Sequence, residues 1–288
     1  MKTQKTYSAL VVLVLMSLLL SACGAPSNPS AEGELSGTIT ISGAFALYPM
    51  MTRWAEEFQK LHPDVQFDIS AGGAGKGMTD AVSGAVDIGM VSRGIKPEEE
   101  AQGAYGVAVT KDAVFPVVNA NNPVAAEILA QGISQETFIK IYITGEITTW
   151  GQVVGKPEIT DEIHVYTRSD AAGAPEMWAK FTGDKKQEDL LGIGVNADPG
   201  LLEAVLKDPL GIGYNNLGYA FELASGNPVA GALIVPIDLD GDGVASDDER
   251  IETMPEAIQA VATGKYPSPP ARPLNVVTKE KPAGLVQA

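Results

Sequence analysis

The chain has 288 residues, a formal net charge of −16 and 45% hydrophobic residues. The excess of acidic side chains argues against nucleic acid or an anionic membrane surface as a partner, because both carry negative charge. An anion site in such a chain must depend on local backbone N–H groups and a few basic side chains, since the overall charge repels anions.

The first 35 residues predict export and lipid anchoring. Two lysines precede an apolar run at 9–20, which has the length of a signal-peptide core and is too short to span a membrane. Small residues then lead to Cys23, the single cysteine of the chain, as in a lipoprotein cleavage site. We predict a signal peptide at 1–22 and a lipidated cysteine with a flexible tether at 23–35. An ordinary signal peptide with a chance cysteine is the alternative.

Strands and helices alternate in the first part of the chain. The predicted elements are strands at 38–42, 65–70 and 86–91, a helix at 50–61, and a short helix that ends near residue 82 after a glycine-rich turn at 71–77. A longer apolar stretch at 107–118 follows, and it is interrupted by Lys111 and Asp112. The alternation predicts an α/β sheet with parallel neighbouring strands.

The second part of the chain repeats this alternation. Its predicted elements are helices at 134–142 and 201–206, a strand at 164–167 with a loop and helix after it, a strand-like turn at 211–216, and a strand at 232–237. Ser134 is the expected N-cap of its helix. The proline-rich segment at 267–273 is predicted to be extended.

Three glycine-bearing segments, at 43–49, 72–77 and 171–174, each follow a strand and open a helix. The start of a helix presents unpaired N–H groups and the positive end of the helix dipole, which together favour an anion. One such segment is weak support, because glycines also serve simply to turn a chain. Three of them in one cleft would hold a dianion without net positive charge.

Motifs of nucleotide-binding proteins and hydrolases are missing from the sequence. Lys76 is followed by Gly77 where a P-loop requires Ser or Thr, and no dinucleotide fingerprint or GxSxG motif occurs. His62 fits a surface position at a helix end, and His164 has no nucleophile motif near it. We therefore predict no catalytic residues and a binding protein. A lipid-anchored phosphatase would need a metal cluster or a nucleophile beside the anion site.

Five blocks of the chain resemble, in the same order, the phosphate-binding proteins of ABC importers, a type II periplasmic-binding family. The blocks, within residues 37–262, are ISGAFALYPMMTRWAEEFQK, ISAGGAGKGM, VDIGMVSR, VYTRSDAAG and GIGYNN. The resemblance implies a two-lobed α/β fold with two crossover strands and a ligand cleft between the lobes. We accordingly predict lobe 1 at 36–115 and 232–288, and lobe 2 at 116–231.

The resemblance also implies a set of ligand contacts in the cleft. By position these are Ala46, Leu47, Tyr48, Gly73, Ala74, Gly75, Lys76, Gly77, Ser92, Arg93, Arg168, Ala172, Gly173 and Ala174. Arg93, Arg168 and Lys76 are candidates for charge-assisted hydrogen bonds to an oxyanion. A solvated loop lysine is an equally open interpretation of Lys76.

The chain departs from the family pattern at several contacts. The family's Ser-Gly-Thr corresponds here to Ala172-Gly173-Ala174, which removes two hydroxyl donors, and a Ser or Thr of the first loop corresponds to Leu47. An Asp that accepts the proton of hydrogen phosphate in one branch, and so excludes sulfate, corresponds to Ser92. A serine can still accept that proton, so phosphate remains the expected ligand.

An acidic segment, DLDGDGVASDDE at 238–249, fits the twelve-residue calcium-loop pattern. The predicted ligands are Asp238, Asp240, Asp242, Val244 and Glu249. A strand precedes the segment where an EF-hand has a helix, so we expect an isolated structural Ca²⁺ loop remote from the cleft. The alternative is a solvated acidic turn.

The predicted function is capture of inorganic phosphate, with no required cofactor, by a monomeric extracytoplasmic lipoprotein that delivers it to an ABC permease. Two other functions stay open. The chain could bind another oxyanion, namely sulfate, molybdate or tungstate, or act as an extracellular scaffold or sensor without transport.

Overall fold

The computed structural model describes residues 35–288, so the predictions for the signal peptide and Cys23 lie outside the described residues. Over that range the chain forms eleven strands and ten α-helices. The strands are β1 (Gly37–Gly43), β2 (Val65–Ala71), β3 (Ile88–Val91), β4 (Ala104–Asn119), β5 (Ile133–Ser134), β6 (His164–Arg168), β7 (Ile193–Val195), β8 (Gly211–Asn216), β9 (Ala232–Ile234), β10 (Ile237–Asp238) and β11 (Ala271–Lys279). The helices are α1 (Tyr48–Leu61), α2 (Ala74–Ser83), α3 (Pro97–Glu100), α4 (Ala125–Gln131), α5 (Gln135–Ile139), α6 (Trp150–Val154), α7 (Gly173–Phe181), α8 (Ala197–Lys207), α9 (Leu217–Ala220) and α10 (Met254–Thr263).

Local sequence signals place several of these elements correctly. The helix predicted at 50–61 begins two residues earlier, with Pro49 in its first turn, where a missing N–H costs nothing. The Ser134 hydroxyl caps α5 by accepting a hydrogen bond from the Thr137 N–H at 3.3 Å. Within the described residues, no helix is both long and apolar enough to cross a membrane.

One mixed sheet, in the strand order β2-β1-β3-β11-β4-β8-β6-β7, runs through the molecule. Strand β4 is shared: its first part pairs antiparallel with β11, and its last part pairs with β8 and β9. We call the side with β2, β1, β3 and β11 the first half and the side with β8, β6 and β7 the second half. This α/β arrangement confirms the predicted fold class.

Each half has its own buried apolar side chains. In the first half, Ile41, Leu47 and Met90 are completely or almost completely buried. In the second half, an aromatic cluster centres on Trp178, whose ring stacks on Tyr214 with the centroids 5.4 Å apart. The two halves therefore have separate cores and are connected through β4 and β11. The loops at the boundary between them can line a cleft.

The segment at 232–266 packs differently from the predicted lobe 1. Strand β9 pairs with the end of β4, β10 pairs with β5, and Ile234, Ala257 and Tyr266 join the core of the second half. The proline-rich segment then leads into β11, which lies between β3 and β4. The contacts thus favour a return to the first half near Ala271, where β11 begins to pair with β3 and β4.

Candidate functional site

Short loops at the ends of β1, β2 and β3 bring three segments of the first half to one place. After β1 a 3-10 turn over Phe45–Leu47 leads into α1, and the Ala44 N–H donates to the Met90 carbonyl at 2.8 Å. A Cβ on Gly77 would lie 2.5 Å from the same carbonyl oxygen, so only glycine lets α2 start this close to the strands. Ala46 and Tyr48 are half-buried and Leu47 is fully buried.

The segment at 168–173 of the second half faces all three loops. The guanidinium of Arg168 lies 5.3 Å from the centroid of the Phe45 ring, in the first loop. The Gly75 N–H, in the second loop, donates to the Ala171 carbonyl at 3.3 Å. The structure therefore brings the predicted contact loops together between the two halves.

Two glycines mark how closely the halves approach. Gly73 has φ of 89°, and a Cβ there would lie 2.6 Å from the Ala171 carbonyl oxygen. A Cβ on Gly173 would lie 2.2 Å from the Ser92 Oγ and 2.3 Å from the Ser92 carbonyl oxygen. Real Cβ atoms do not tolerate such distances, so the contact between the start of α7 and Ser92 requires glycine.

Arg168 is buried among carboxylates. Its side chain is 1% exposed, and its Nε donates to Asp170 Oδ1 at 2.7 Å while its Nη1 donates to Asp198 Oδ2 at 2.6 Å. Burial raises the pKa of Asp170, but the hydrogen bond and charge of Arg168, together with backbone N–H donors, more than offset burial and hold that pKa below its ordinary value. The N–H donors of the Arg168 guanidinium are therefore held in fixed directions. Its positive charge is neutralised by the carboxylates of Asp170 and Asp198.

Arg93 is paired in a similar way. Its Nη2 lies 2.6 Å from Glu99 Oε1, and its Nε lies 3.2 Å from Glu176 Oε2 on α7. The second contact joins the two halves beside the loops. Lys76, by contrast, is 49% exposed and bonds to Asp80 one turn along its own helix. Its ammonium group is thereby engaged by a carboxylate of its own helix.

Three buried side chains of this region were missed by the sequence analysis. Asn216 Nδ2 donates to Asp198 Oδ1 at 2.8 Å, and Arg272 Nε donates to the Ser92 carbonyl at 3.2 Å. Arg272 also bonds to the Asn216 amide oxygen, which links the two halves. Asn216 lies in the block GIGYNN, whereas no local pattern distinguishes Asp198 or Arg272 from surface residues.

Asp112, the acidic residue that interrupts the apolar stretch of β4, lies beneath this region. Its carboxylate is 3.1 Å from Arg272 Nη2 and accepts from the Leu217 N–H at 3.2 Å. Burial raises the pKa of Asp112 more than the Arg272 charge lowers it. Burial likewise raises the pKa of Tyr219 to about 12, and its hydroxyl donates to the Phe45 carbonyl at 3.4 Å.

The acidic segment at 238–249 forms a compact loop. Asp238, Asp240 and Asp242 each place a carboxylate oxygen within 4.8 Å of the others. Glu249 is 8% exposed and accepts from the Leu239 N–H at 2.6 Å and the Ser246 N–H at 2.8 Å. Val244 is exposed. The loop gathers three of the predicted carboxylate ligands, while the carboxylate of Glu249 is occupied by backbone donors.

The chain is similar in sequence to one protein-family model and to phosphate-binding proteins of other organisms. The chain matches the family model described as a PBP superfamily domain over residues 28–288. It is 31% identical to the phosphate-binding protein PstS of Bacillus subtilis over 90% of this chain and 80% of that protein. It is 28% identical to PstS of Methanocaldococcus jannaschii over 86% of this chain and 70% of that protein.

A solved structure shows the same architecture. A protein of Clostridium perfringens, described as a phosphate ABC transporter substrate-binding protein with bound phosphate, superposes with a TM-score of 0.69 at 25% identity, covering 87% of this chain and 90% of that one. An ABC-type phosphate transport receptor of Vibrio cholerae shares the fold, with a TM-score of 0.59 at 21% identity and coverage of 87% and 93%. The chain therefore belongs to the PBP superfamily and, within it, to the family of phosphate-binding proteins named PstS.

Proposed function

We propose that this chain captures inorganic phosphate between its two halves and delivers it to the membrane permease of an ABC importer. The observation that carries the proposal is the convergence of three loops of the first half on the segment at 168–173. Relatives named for phosphate binding, which match most of the chain, support the same ligand.

The chemistry of capture depends on dipoles more than on net charge. Arg168 is matched by Asp170 and Asp198, so its guanidinium contributes directed N–H donors without a surplus of positive charge. Backbone N–H groups at the starts of α2 and α7 and the Ser92 hydroxyl are the other donors in the proposal. These fixed donors replace the hydration shell of the anion when the halves close around it.

The remaining parts of the proposal follow from this role. The chain acts by binding, without a catalytic step, as an extracytoplasmic monomer held to the membrane through a lipid on Cys23. Its partner is an ABC permease, and nucleic acid is not a partner of so acidic a chain.

Isothermal titration of the chain from residue 24 onward with phosphate, sulfate, arsenate and molybdate tests the ligand. We expect phosphate and its close analogue arsenate to bind, and sulfate to bind at least tenfold more weakly. The Ser92 oxygen can accept the proton of hydrogen phosphate, whereas sulfate carries no proton at neutral pH. Tighter binding of sulfate or molybdate than of phosphate would support the cleft as the binding site but identify a different ligand. Binding of none of the four would contradict the proposal and favour a scaffold or sensor.

A second proposal concerns Ca²⁺ at the acidic loop, and the clustering of three carboxylates favours it. Asp238, Asp240 and Asp242 would hold the ion, with the Val244 carbonyl and Glu249 completing the oxygen set after Glu249 leaves its backbone donors. The role is structural, since the loop connects β10 to the segment that leads into α10.

Thermal unfolding with and without Ca²⁺ tests this loop. At a concentration 100 times Kd, Ca²⁺ should add about 2.7 kcal/mol and raise Tm by roughly 5–10 °C. Asp240→Asn combined with Asp242→Asn should remove the increase. Asp247→Asn, which changes a fully exposed acid in the same segment, should retain it. An equal Tm with Ca²⁺ and with EDTA would contradict the proposal.

A further inference from the structure

A depression of about 430 Å³ opens directly outside the candidate site. Its inner wall includes Gly75, Arg93 and Ala171, which belong to the loops that meet between the two halves. An anion that reaches those loops from this side therefore crosses the depression first.

Lysines surround this depression in an otherwise acidic protein. Lys96 comes from the first half, and Lys180, Lys185 and Lys186 come from α7 and the loop after it; we call this group the lysine vestibule. The depression has Glu176 and Glu188 as its carboxylates. In the whole chain, by contrast, 36 acidic residues outnumber 20 basic ones. The vestibule thus reverses the charge balance of the protein beside the loops of the candidate site.

Most of the positive charge of the vestibule is unneutralised by ion pairs. Glu176 is shared between Arg93 and Lys180, at 3.2 and 3.3 Å. The ammonium groups of Lys96, Lys185 and Lys186 are exposed, and none of the three makes an ion pair within residues 35–288. These three exposed cations can attract an anion without being buried with it.

We propose that the lysine vestibule steers the anionic ligand into the cleft against the repulsion of the rest of the protein. The inference rests on the proposed capture of phosphate. Paired Arg93 and Arg168 cannot supply a long-range attraction, because each cation is cancelled by nearby carboxylates. Unpaired surface charges act over about 30 Å at 0.01 M salt and about 3 Å at 1 M, so their effect depends on ionic strength.

The test compares the chain without its predicted signal peptide and a variant with Lys96→Gln, Lys185→Gln and Lys186→Gln. Equilibrium dialysis with radiolabelled inorganic phosphate should give a Kd about tenfold higher for the variant at 0.01 M salt. The two values should agree within about twofold at 1 M salt, where the charges are screened. Stopped-flow kinetics should place the change in the association rate, with the dissociation rate unaltered.

A charge-matched control separates local steering from net charge. Lys60→Gln, Lys140→Gln and Lys207→Gln remove the same number of charges from ion-paired lysines elsewhere, and should change Kd less than about twofold at low salt. An unchanged Kd in the vestibule variant at low salt, or a defect that persists at 1 M salt, would overturn the steering role while leaving phosphate capture intact. Absence of phosphate binding by the unmodified chain would overturn both.

Discussion

Replacing Arg168 by alanine is expected to lower the free energy of unfolding by about 3–5 kcal/mol, because breaking a buried ion pair leaves an uncompensated charge inside the protein. Asp198 is 1% exposed and lies 2.6 Å from Arg168 Nη1, so it would lose its cation without gaining water. Asp170 would lose the Nε donor at 2.7 Å. Urea unfolding measured by circular dichroism gives the difference.

The control for this loss is an arginine whose partners are exposed. Arg53 forms ion pairs with Glu56 and Glu57 on the surface of α1, and its side chain is 65% exposed. Arg53→Ala should change the free energy of unfolding by less than about 1 kcal/mol. Equal effects of the two substitutions would show that the buried cluster contributes no more than a surface pair.

The same prediction has a pH dependence. Burial raises the pKa of Asp170, but the hydrogen bond and charge of Arg168, with backbone N–H donors, together lower it by more, so the folded pKa lies below the unfolded value of about 3.9. The pair therefore stabilises the fold above about pH 4, and this contribution is lost as pH falls through the lowered pKa. The difference between the unmodified chain and Arg168→Ala should shrink toward pH 3. A constant difference between pH 7 and pH 3 would point to lost packing instead of lost charge.

Replacing Gly173 by alanine is expected to weaken phosphate binding at least about 100-fold while the protein stays folded. The new Cβ would lie 2.2 Å from the Ser92 Oγ and 2.3 Å from its carbonyl oxygen, so the start of α7 must move away from Ser92. Once α7 has moved away from Ser92, the donors of the two halves can no longer all lie within hydrogen-bond distance of one phosphate. Alanine is the better helix former, so α7 itself should not be weakened. Titration calorimetry and urea unfolding measure the two effects.

Gly94 offers a matched control close to the same site. A Cβ on Gly94 meets no heavy atom within 4 Å, although the residue lies two positions from Ser92. Gly94→Ala should bind phosphate within about twofold of the unmodified chain. If Gly173→Ala also binds at that level, the contact between Gly173 and Ser92 is absent from the bound form.

Local sequence signals predict the loops of the candidate site, because each depends on a few adjacent residues. Glycines between a strand and a helix predict the loops at 43–49, 72–77 and 171–174, and the structure brings all three to the boundary between the halves. The sequence does not decide the role of Lys76, because a lysine in a glycine-rich loop can reach a ligand or its own helix. In the structure Lys76 bonds to Asp80, four residues later on the same face of α2. This contact favours a lysine that bonds to its own helix.

The sequence alone determined the α/β alternation, the anion-competent loops and the acidic segment at 238–249, since these patterns depend on residues within a few positions of one another. Only the tertiary structure decided that Asp198 and Glu176 neutralise the two arginines, that residues 232–266 pack on the second half, and that β11 crosses back through the centre of the sheet. These features join residues that are distant in the chain. Their energies come from burial and charge pairing in three dimensions, which local periodicity does not report.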